Sequence, residues 1–269
     1  MIKFAIIIPF RPKAESVDWQ KESSLLRETV NSILQQTYTG IHIYVVHNEA
    51  PENQLTDERV SYVHFPYGHQ RYEEMANRQQ LLNRFKSEKL VVRRWDKARK
   101  LSYGCQLAKE DGADYLMAMD ADDRLSKYFF ERLNAEASAE KISGWYMHCG
   151  FLYKEHGKYL IRIPQSMRSF NGSTHVLHQS LVRIPDFHSV IWEDFNLFTD
   201  HGWIKERLQQ EYGVDLKPVN FPALVYVVHN SNISQVQKEF AFSFRKMIKR
   251  FLRSVRITPA LREEFNFPS

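Results

Sequence analysis

The sequence predicts an α/β fold built on an open, mixed, Rossmann-like sheet flanked by helices. Two continuous apolar runs rich in β-branched residues, 4–10 and 41–47, predict strands that are covered on both faces. Between them, residues 22–36 repeat apolar side chains at helical spacing. A strand, a helix and a strand in this order form a βαβ unit, which predicts parallel pairing.

The rest of the first half continues this alternation. Residues 72–86 and 95–110 have helical patterns, and Gly112 ends the second. Residues 115–120 predict another buried strand, followed by a helix from about Ser126. The sheet is therefore expected to be doubly wound, and such sheets bind ligands beyond the carboxyl ends of their strands.

The second half has a different pattern. Residues 144–164 predict paired strands with a polar turn at 155–158, residues 193–211 predict a helix, and residues 222–230 predict a late strand. We expect one domain over residues 1–238, because the sequence contains no clear linker and no internal repeat.

The C-terminal segment 239–257 predicts a basic amphipathic helix. It carries six basic residues between Arg245 and Arg256, with apolar side chains at helical spacing. Such a helix either packs on the domain with a solvated basic face or lies on an anionic membrane surface. The sequence leaves both alternatives open.

Composition limits which partners and which cellular compartment are expected. Net charge is +5, but the sequence has no zinc-ligand spacing, helix-turn-helix signal or RNA-binding motif, so we expect no nucleic-acid partner. Cys105 and Cys149 give no disulfide framework and favour a reducing compartment. No apolar run has membrane-spanning length, so the expected location is the cytoplasm, with peripheral contact at the inner face of the membrane through 239–257.

Three acids end the apolar run 115–120: Asp120, Asp122 and Asp123. In extended backbone Asp120 and Asp122 point the same way, so their oxygens can converge on one cation such as Mg²⁺ or Mn²⁺. The alternative is a solvated turn and helix cap. Asp123 is the acid expected to cap the next helix or to orient its neighbours.

Two other readings of these acids fit less well. A calcium loop of the EF-hand type would find Glu131 at its twelfth position, but Leu125 stands where glycine is needed and Arg124 replaces a ligand. A phosphatase of the Asp-x-Asp type would carry its nucleophilic Asp after the first strand, whereas this cluster lies in the middle of the chain.

Four stretches, taken in order, resemble the family 2 glycosyltransferases, which are inverting enzymes of the GT-A fold. They are "FAIIIPFRP", "LLRETVNSILQQTYTGIHIYVVHNEAPEN", "DKARKLSYGCQLAKEDGADYLMAMDADDRLS" and "WEDFNLF". The resemblance covers roughly residues 3–235. It implies a nucleotide-sugar donor, usually a UDP-sugar, bound through Mn²⁺ or Mg²⁺ at Asp120 and Asp122.

The resemblance also implies donor-binding residues. Pro9, Phe10 and Arg11 would line the nucleotide pocket, and Asp120 would also contact the donor. The family's Asp after the second strand is missing here, and Glu49 in "VVHNEAPEN" is the substitute candidate. Two basic residues, Lys97 and Arg99, match the family's phosphate-binding block, although both could simply solvate a helix face.

For catalysis, the resemblance implies a base on the acceptor hydroxyl. The late pair Glu193 and Asp194 is the candidate, with Asp194 preferred, and the alternative is a simple helix cap. His229 would complete the metal or diphosphate site, or else be structural. The segment 171–175 resembles the loop that approaches the donor sugar or the acceptor.

The resemblance divides the domain into a nucleotide-sugar half, 1–125, and an acceptor half, 126–238, with a glycan or lipid-linked hydroxyl as acceptor. One rival is a nucleotidyltransferase, which would carry a Gly-rich loop after the first strand, where "PFRPKAES" has none. Another is a non-catalytic protein that binds a sugar or a membrane surface.

Overall fold

The computed structural model describes residues 1–68, 70–229 and 252–267. Helices and strands alternate through most of this length. The helices are α1 (Trp19–Leu34), α2 (Arg78–Phe85), α3 (Glu88–Glu110), α4 (Phe129–Ala139), α5 (Met167–Phe170), α6 (Trp192–Phe195), α7 (Ile204–Tyr212) and α8 (Pro259–Glu264). The strands are β1 (Phe4–Pro9), β2 (Ile41–His47), β3 (Val60–His64), β4 (Tyr115–Ala118), β5 (Arg124–Leu125), β6 (Gly144–Met147), β7 (Gly150–Lys154), β8 (Tyr159–Ile163), β9 (His175–His178), β10 (Lys217–Val219), β11 (Leu224–Val228) and β12 (Ser254–Arg256).

Seven strands form the larger sheet in the order β10-β6-β9-β4-β1-β2-β3. β1 pairs in parallel with both β2 and β4, and β2 pairs in parallel with β3. β9 runs antiparallel between β4 and β6. This is an open mixed sheet flanked by helices, which confirms the predicted fold class.

Side chains of β1 alternate between two hydrophobic cores. Phe4, Ile6 and Ile8 belong to the core shared with α1 and α4, whereas Ala5 and Ile7 belong to the core shared with α3. An apolar run without polar alternation is what a strand covered on both faces requires.

Gly104 sets how closely α3 approaches the sheet. A Cβ at this position would collide with Cγ2 of Ile7 and lie 3.1 Å from Cγ2 of Val46. The absence of a side chain therefore lets the helix backbone lie directly on β1 and β2, which fixes α3 against the edge where these strands end.

The smaller sheet has the order β12-β8-β7-β11-β5. β7 and β8 form an antiparallel hairpin, which confirms the predicted pair of strands and the polar turn between them. β5 is only two residues long and pairs antiparallel with β11. This pairing anchors the chain immediately after Asp123, and it brings the end of β11 next to the acids that follow β4.

Several predicted boundaries differ from the structure. The helix expected over 72–86 begins only at Arg78, because Asn77 before it has the left-handed backbone conformation, with φ of 55°. The helix expected over 95–110 begins earlier, at Glu88, because Val91 and Val92 in its first turns weaken the helical pattern of the sequence. The single helix expected over 193–211 is split into α6 and α7. Asn196 is the C-cap of α6, and its carbonyl accepts hydrogen bonds from the backbone of Thr199 and Asp200, at 3.1 and 3.0 Å, in the turn that follows.

Much of the basic helix expected over 239–257 lies outside the described residues, which resume at 252. Within that range, Ser254–Arg256 is a strand rather than a helix, because its backbone extends the sheet along the edge of β8. Ile257, Phe265 and Phe267 then pack on β7, β8 and β11. No helix in the described part of the chain has the length and apolarity to cross a bilayer.

Candidate functional site

A cavity of about 220 Å³ opens at the carboxyl ends of β1 and β4. Its walls come from the loop after β1, from α3, from the loop after β4 and from the segment 170–172. The turn between α6 and α7 and the end of β11 complete it. The position agrees with the general rule that ligands of doubly wound sheets bind beyond the carboxyl ends of the strands.

The structure brings four of the predicted site residues together in this cavity. Lys97 Nζ forms an ion pair with Oδ1 of Asp120, and Asp122 Oδ2 lies 2.8 Å from Nε2 of His229. The backbone N–H of Asp120 also donates to Oγ of Ser173, at 2.8 Å. The acids expected at the end of a buried strand therefore face a basic helix and a late histidine.

Asp123 points away from the cavity and into the protein. It is 0% exposed, and its Oδ2 accepts hydrogen bonds from Asn171 Nδ2 at 2.8 Å and Ser173 Oγ at 2.5 Å. Burial raises the pKa of Asp123 well above its ordinary value, and the carboxylates of Asp122 and Asp120 add to this effect. The helix cap expected of Asp123 is wrong, because α4 begins without a side-chain cap, and the acid instead orients residues 171–173.

Basic side chains of α3 form the wall opposite the acids. Arg93, Arg94 and Lys97 line the cavity on the face of the helix that points toward the ends of the strands. Arg93 Nε is 2.7 Å from a carboxylate oxygen of Glu15, while burial lowers the pKa of the Arg94 guanidinium. The cavity thus combines several cationic side chains with carboxylates, and Arg and Lys side chains are good donors to phosphate oxygens.

Pro9, Phe10 and Arg11 line the cavity as expected for a nucleotide pocket. Phe10 packs on Trp19, with ring centroids 4.9 Å apart, and Arg11 Nη1 is 2.7 Å from Oε1 of Glu22. The loop after β1 is therefore held in place by α1.

Glu49 lies outside the cavity. Its carboxylate is exposed and accepts a hydrogen bond from the backbone N–H of Lys13, at 3.0 Å. This contact ties the end of β2 to the loop after β1. The contact expected between Glu49 and the nucleobase of the donor stays a prediction.

Arg99 is turned away from the cavity as well. It is buried, and its guanidinium donates to the carbonyls of Gly68 and Phe187, at 2.8 and 3.0 Å. It also lies 5.4 Å from the ring centroid of Phe65. Its position therefore serves to join two loops on the far side of α3, and the structure does not bring it to the predicted donor.

Lys100 is a structural residue of the site that the sequence argument missed. Its side chain is completely buried, and Nζ donates to the carbonyl oxygen of Phe10 and to Asp96 Oδ2, both at 2.7 Å. Burial lowers the pKa of this lysine. The spacing of Asp96 and Lys100, four residues apart on a helix, was the available signal. The pair fixes the backbone of Phe10 where β1 ends.

The predicted catalytic pair lies elsewhere. Glu193 and Asp194 are exposed on α6, and neither lines the cavity. Asp194 accepts a hydrogen bond from Oγ of Ser189, while Glu193 lines a separate surface cleft. Buried Trp192 and Phe195 hold this short helix against α3. The structure does not bring the pair to the acids, and its role as base stays a prediction.

Two residues between α6 and α7 enter the cavity instead. Thr199 and His201 both line it, and the sequence argument singled out neither. His201 Nδ1 lies 2.6 Å from the carbonyl oxygen of Arg168. Asn171 and Gly172, from the segment expected to approach donor or acceptor, line the same space. His201 lies here because it is in the turn between α6 and α7. The sequence pattern predicts one continuous helix over 193–211 and therefore does not indicate this turn.

The side chains around the acids fit a divalent cation in their chemistry. Asp120 Oδ2 accepts no hydrogen bond from the described residues, and carboxylate oxygens with an imidazole nitrogen are suitable ligands for Mn²⁺ or Mg²⁺. However, no group of three or more His, Cys, Asp and Glu side chains in the described ranges has a metal-holding arrangement. His229 contacts Asp122 directly, so a bound cation would replace that hydrogen bond.

Comparison with known proteins gives distant structural likenesses. No protein-family model matches the chain, and no curated protein matches it in sequence. A structure of S. aureus TarS in complex with UDP-GlcNAc has a TM-score of 0.48 and 11% identity, covering 86% of this chain and 60% of that one. TarS in complex with UDP gives 0.47 and 11%, covering 88% and 69%. The chain thus spans about 60% of the length of the first of these.

Proposed function

We propose that this chain is a glycosyltransferase that moves a sugar from a nucleotide-sugar donor, a UDP-sugar, to a hydroxyl acceptor with inversion. The observation that carries the proposal is the cavity at the ends of β1 and β4. There Asp120 and Asp122 lie beside cations of α3. This combination suits a diphosphate, which binds cations directly and carboxylates through a shared divalent cation.

Donor binding would use three parts of the cavity. The nucleoside would lie along Pro9, Phe10 and Arg11, since these residues end β1 and line the cavity. The diphosphate would face Lys97 and Arg94, because guanidinium and ammonium groups are good phosphate donors. The sugar would then extend toward the segment 170–172.

Asp120, Asp122 and His229 are the residues proposed to hold Mn²⁺ or Mg²⁺, after the contact between Asp122 and His229 and the ion pair between Lys97 and Asp120 give way. When bound, such a cation would supply positive charge to the phosphates of the leaving diphosphate. Lys97 would contribute positive charge to the diphosphate from the protein side, in exchange for its ion pair with Asp120. The remaining requirement is a base that accepts the proton of the acceptor hydroxyl.

The acceptor is proposed to be a glycan or a lipid-linked hydroxyl, and the protein is proposed to be cytoplasmic with peripheral membrane contact through 239–257. Sedimentation with vesicles that contain or lack anionic lipid tests the membrane contact. Equal sedimentation in both cases, or none, would remove the membrane from the proposal.

The central experiment is a panel of nucleotide sugars, including UDP-GlcNAc, assayed for hydrolysis and thermal stabilisation with and without Mn²⁺. We expect one UDP-sugar to be cleaved only with Mn²⁺, and Asp122→Asn to abolish Mn²⁺-dependent binding of UDP. A control of the same substitution type is Asp57→Asn, in the loop before β3 and outside the cavity, where Asp57 pairs with Arg59. If no nucleotide sugar binds, or UDP affinity is unchanged in Asp122→Asn, the proposal fails.

A further inference from the structure

We propose that His201 is the catalytic base, with Nε2 as the atom that accepts the proton of the acceptor hydroxyl. This inference rests on the proposed glycosyl transfer and names a residue for its proton-transfer step. His201 is half-buried in the turn between α6 and α7, and its side chain lines the same cavity as Asp120 and Lys97.

The hydrogen bond at the other ring nitrogen determines the tautomer. Nδ1 lies 2.6 Å from the carbonyl oxygen of Arg168, and a carbonyl oxygen only accepts hydrogen bonds. Nδ1 therefore carries the proton in the neutral ring, and Nε2 keeps its lone pair. This is the arrangement in which a backbone carbonyl orients an imidazole as a proton acceptor.

The carbonyl that orients His201 is itself fixed. The guanidinium of Arg168 donates to both carboxylate oxygens of Glu206, at 2.8 and 2.7 Å, and to the carbonyl of Gly202 at 2.9 Å. Arg168 is on α5 and Glu206 is on α7, so the ion pair holds together the two elements that flank His201. A bidentate Arg–carboxylate contact is geometrically restrictive, which keeps the ring orientation defined.

The carboxylates that line the cavity are less suitable as bases than His201, since each of them has a basic partner. In the described part of the chain these pairs are Glu15 with Arg93, Glu22 with Arg11, Asp96 with Lys100, Asp120 with Lys97 and Asp122 with His229. Each of these carboxylates is therefore already engaged in an ion pair or a hydrogen bond.

In the proposed reaction, proton transfer to His201 accompanies displacement at the anomeric carbon. The O–H bond of the acceptor breaks and its proton goes to Nε2, while the oxygen electron pair forms a bond to the anomeric carbon of the sugar. The bond from that carbon to the diphosphate oxygen breaks, and its electron pair leaves with the diphosphate. The imidazolium then returns its proton to solvent.

Surrounding charges link this base to donor binding. Burial lowers the pKa of His201 and the hydrogen bond to the Arg168 carbonyl raises it, while Lys97 and Arg94 lower it and Asp120 raises it. A diphosphate would bring negative charge to Lys97 and Arg94, which would raise the pKa of His201. The charged and titratable groups around the ring are Lys97 and Arg94 of α3, Asp120 after β4, Arg168 of α5 and His175 of β9.

The test uses His201→Gln and His201→Ala in the full chain, with water as the acceptor in hydrolysis of the UDP-sugar that the panel identifies. We expect kcat to fall by about 10²–10⁴-fold while the Kd for UDP changes by less than about threefold. Added imidazole should restore part of the rate to His201→Ala. His178→Gln, on β9 and outside the cavity, should hydrolyse the donor as wild type does.

Three results would overturn the inference. Normal turnover in both His201 variants with a dead Asp194→Asn would assign the base to α6. Loss of UDP binding in step with turnover would make His201 a donor-binding residue. Wild-type protein that binds no nucleotide and cleaves no nucleotide sugar would overturn the proposed function along with it, whereas the first two outcomes leave that function intact.

Discussion

Lys97 and Asp120 neutralise each other inside the cavity, through an ion pair between the ammonium and Oδ1 of the carboxylate. Both side chains are about one-third exposed. If the proposed cation and diphosphate enter this site, each would compete with one member of the pair for the other, because the charges of the pair are already balanced.

Replacing Lys97 should change the affinity for Mn²⁺ and the affinity for UDP in opposite directions. Lys97→Met leaves Asp120 unpaired, so affinity for Mn²⁺ alone should rise a few-fold, while affinity for UDP should fall by about tenfold or more, because a charged hydrogen bond is lost. Isothermal titration with each ligand separately measures both. Lys97→Arg, which keeps the charge, is the control, and a parallel change of the two affinities in Lys97→Met would contradict the competition.

Asp123 should be needed for its hydrogen-bonding shape more than for its charge. Asp123→Asn keeps an oxygen that accepts from Asn171 and Ser173 and removes repulsion from the neighbouring acids, so stability should stay within about 1 kcal/mol of wild type. Asp123→Ala leaves both donors buried without an acceptor and should cost about 2–4 kcal/mol. Urea denaturation compares the two variants, and equal losses would show that the charge itself matters.

Gly104→Ala should destabilise the domain although alanine favours helices. The added methyl group meets Ile7 and Val46, and overpacking of this kind costs about 1–3 kcal/mol, against a gain in helix propensity of about 1 kcal/mol. Gly68→Ala, where no atom lies within 4 Å of the new Cβ, is the matched control. A midpoint of unfolding for Gly104→Ala equal to that of the control would mean that α3 can shift without cost.

Acid should weaken the fold through His175. This ring is completely buried on β9, and burial lowers its pKa from 6.5 to about 3. Because the unfolded chain then binds a proton that the folded chain does not, stability should fall as the pH drops from about 6.5 toward about 3, and the loss should level off below that. Each pKa unit by which the folded and unfolded chains differ is worth about 1.4 kcal/mol of unfolding free energy, so the full effect amounts to a few kcal/mol.

Stability measured against pH in His175→Gln checks this effect. The variant should lose stability less steeply between pH 6.5 and 4 than wild type, whatever its stability at neutral pH. His178→Gln changes a histidine at the other end of the same strand and should keep the wild-type slope. An unchanged slope in His175→Gln would assign the acid sensitivity to other groups.

The central strands of the larger sheet, the alternation of strands and helices and the edge that carries the cavity could be predicted from the sequence. Patterns of apolar residues report burial directly, and strands such as β1 and β4 are apolar on both faces. The positions of Asp120 and Asp122 followed from the end of β4, because the carboxyl end of a parallel strand fixes where the next side chains lie.

The orientation of side chains on α3 and around α6 could not be predicted in the same way. Lys97, Arg99 and Lys100 are neighbours in sequence, yet one lines the cavity, one joins loops on the far side and one is buried under β1. Their directions depend on the 100° rotation per helical residue and on which face the sheet covers. Likewise, the turn that brings His201 into the cavity depends on Asn196 side-chain and backbone contacts with no strong local signal.

Ser173 accepts a hydrogen bond from the backbone of Asp120 and donates one to Asp123, which also holds Asn171. The loop after β4 and the segment before β9 are thus two walls of the cavity fastened into one rigid block. A movement of Asp120 would therefore pull on Ser173, and through Asp123 on Asn171 of the neighbouring wall. The hydrogen bonds that Ser173 makes with Asp120 and Asp123 thus join the acids after β4 to the cavity-lining segment before β9.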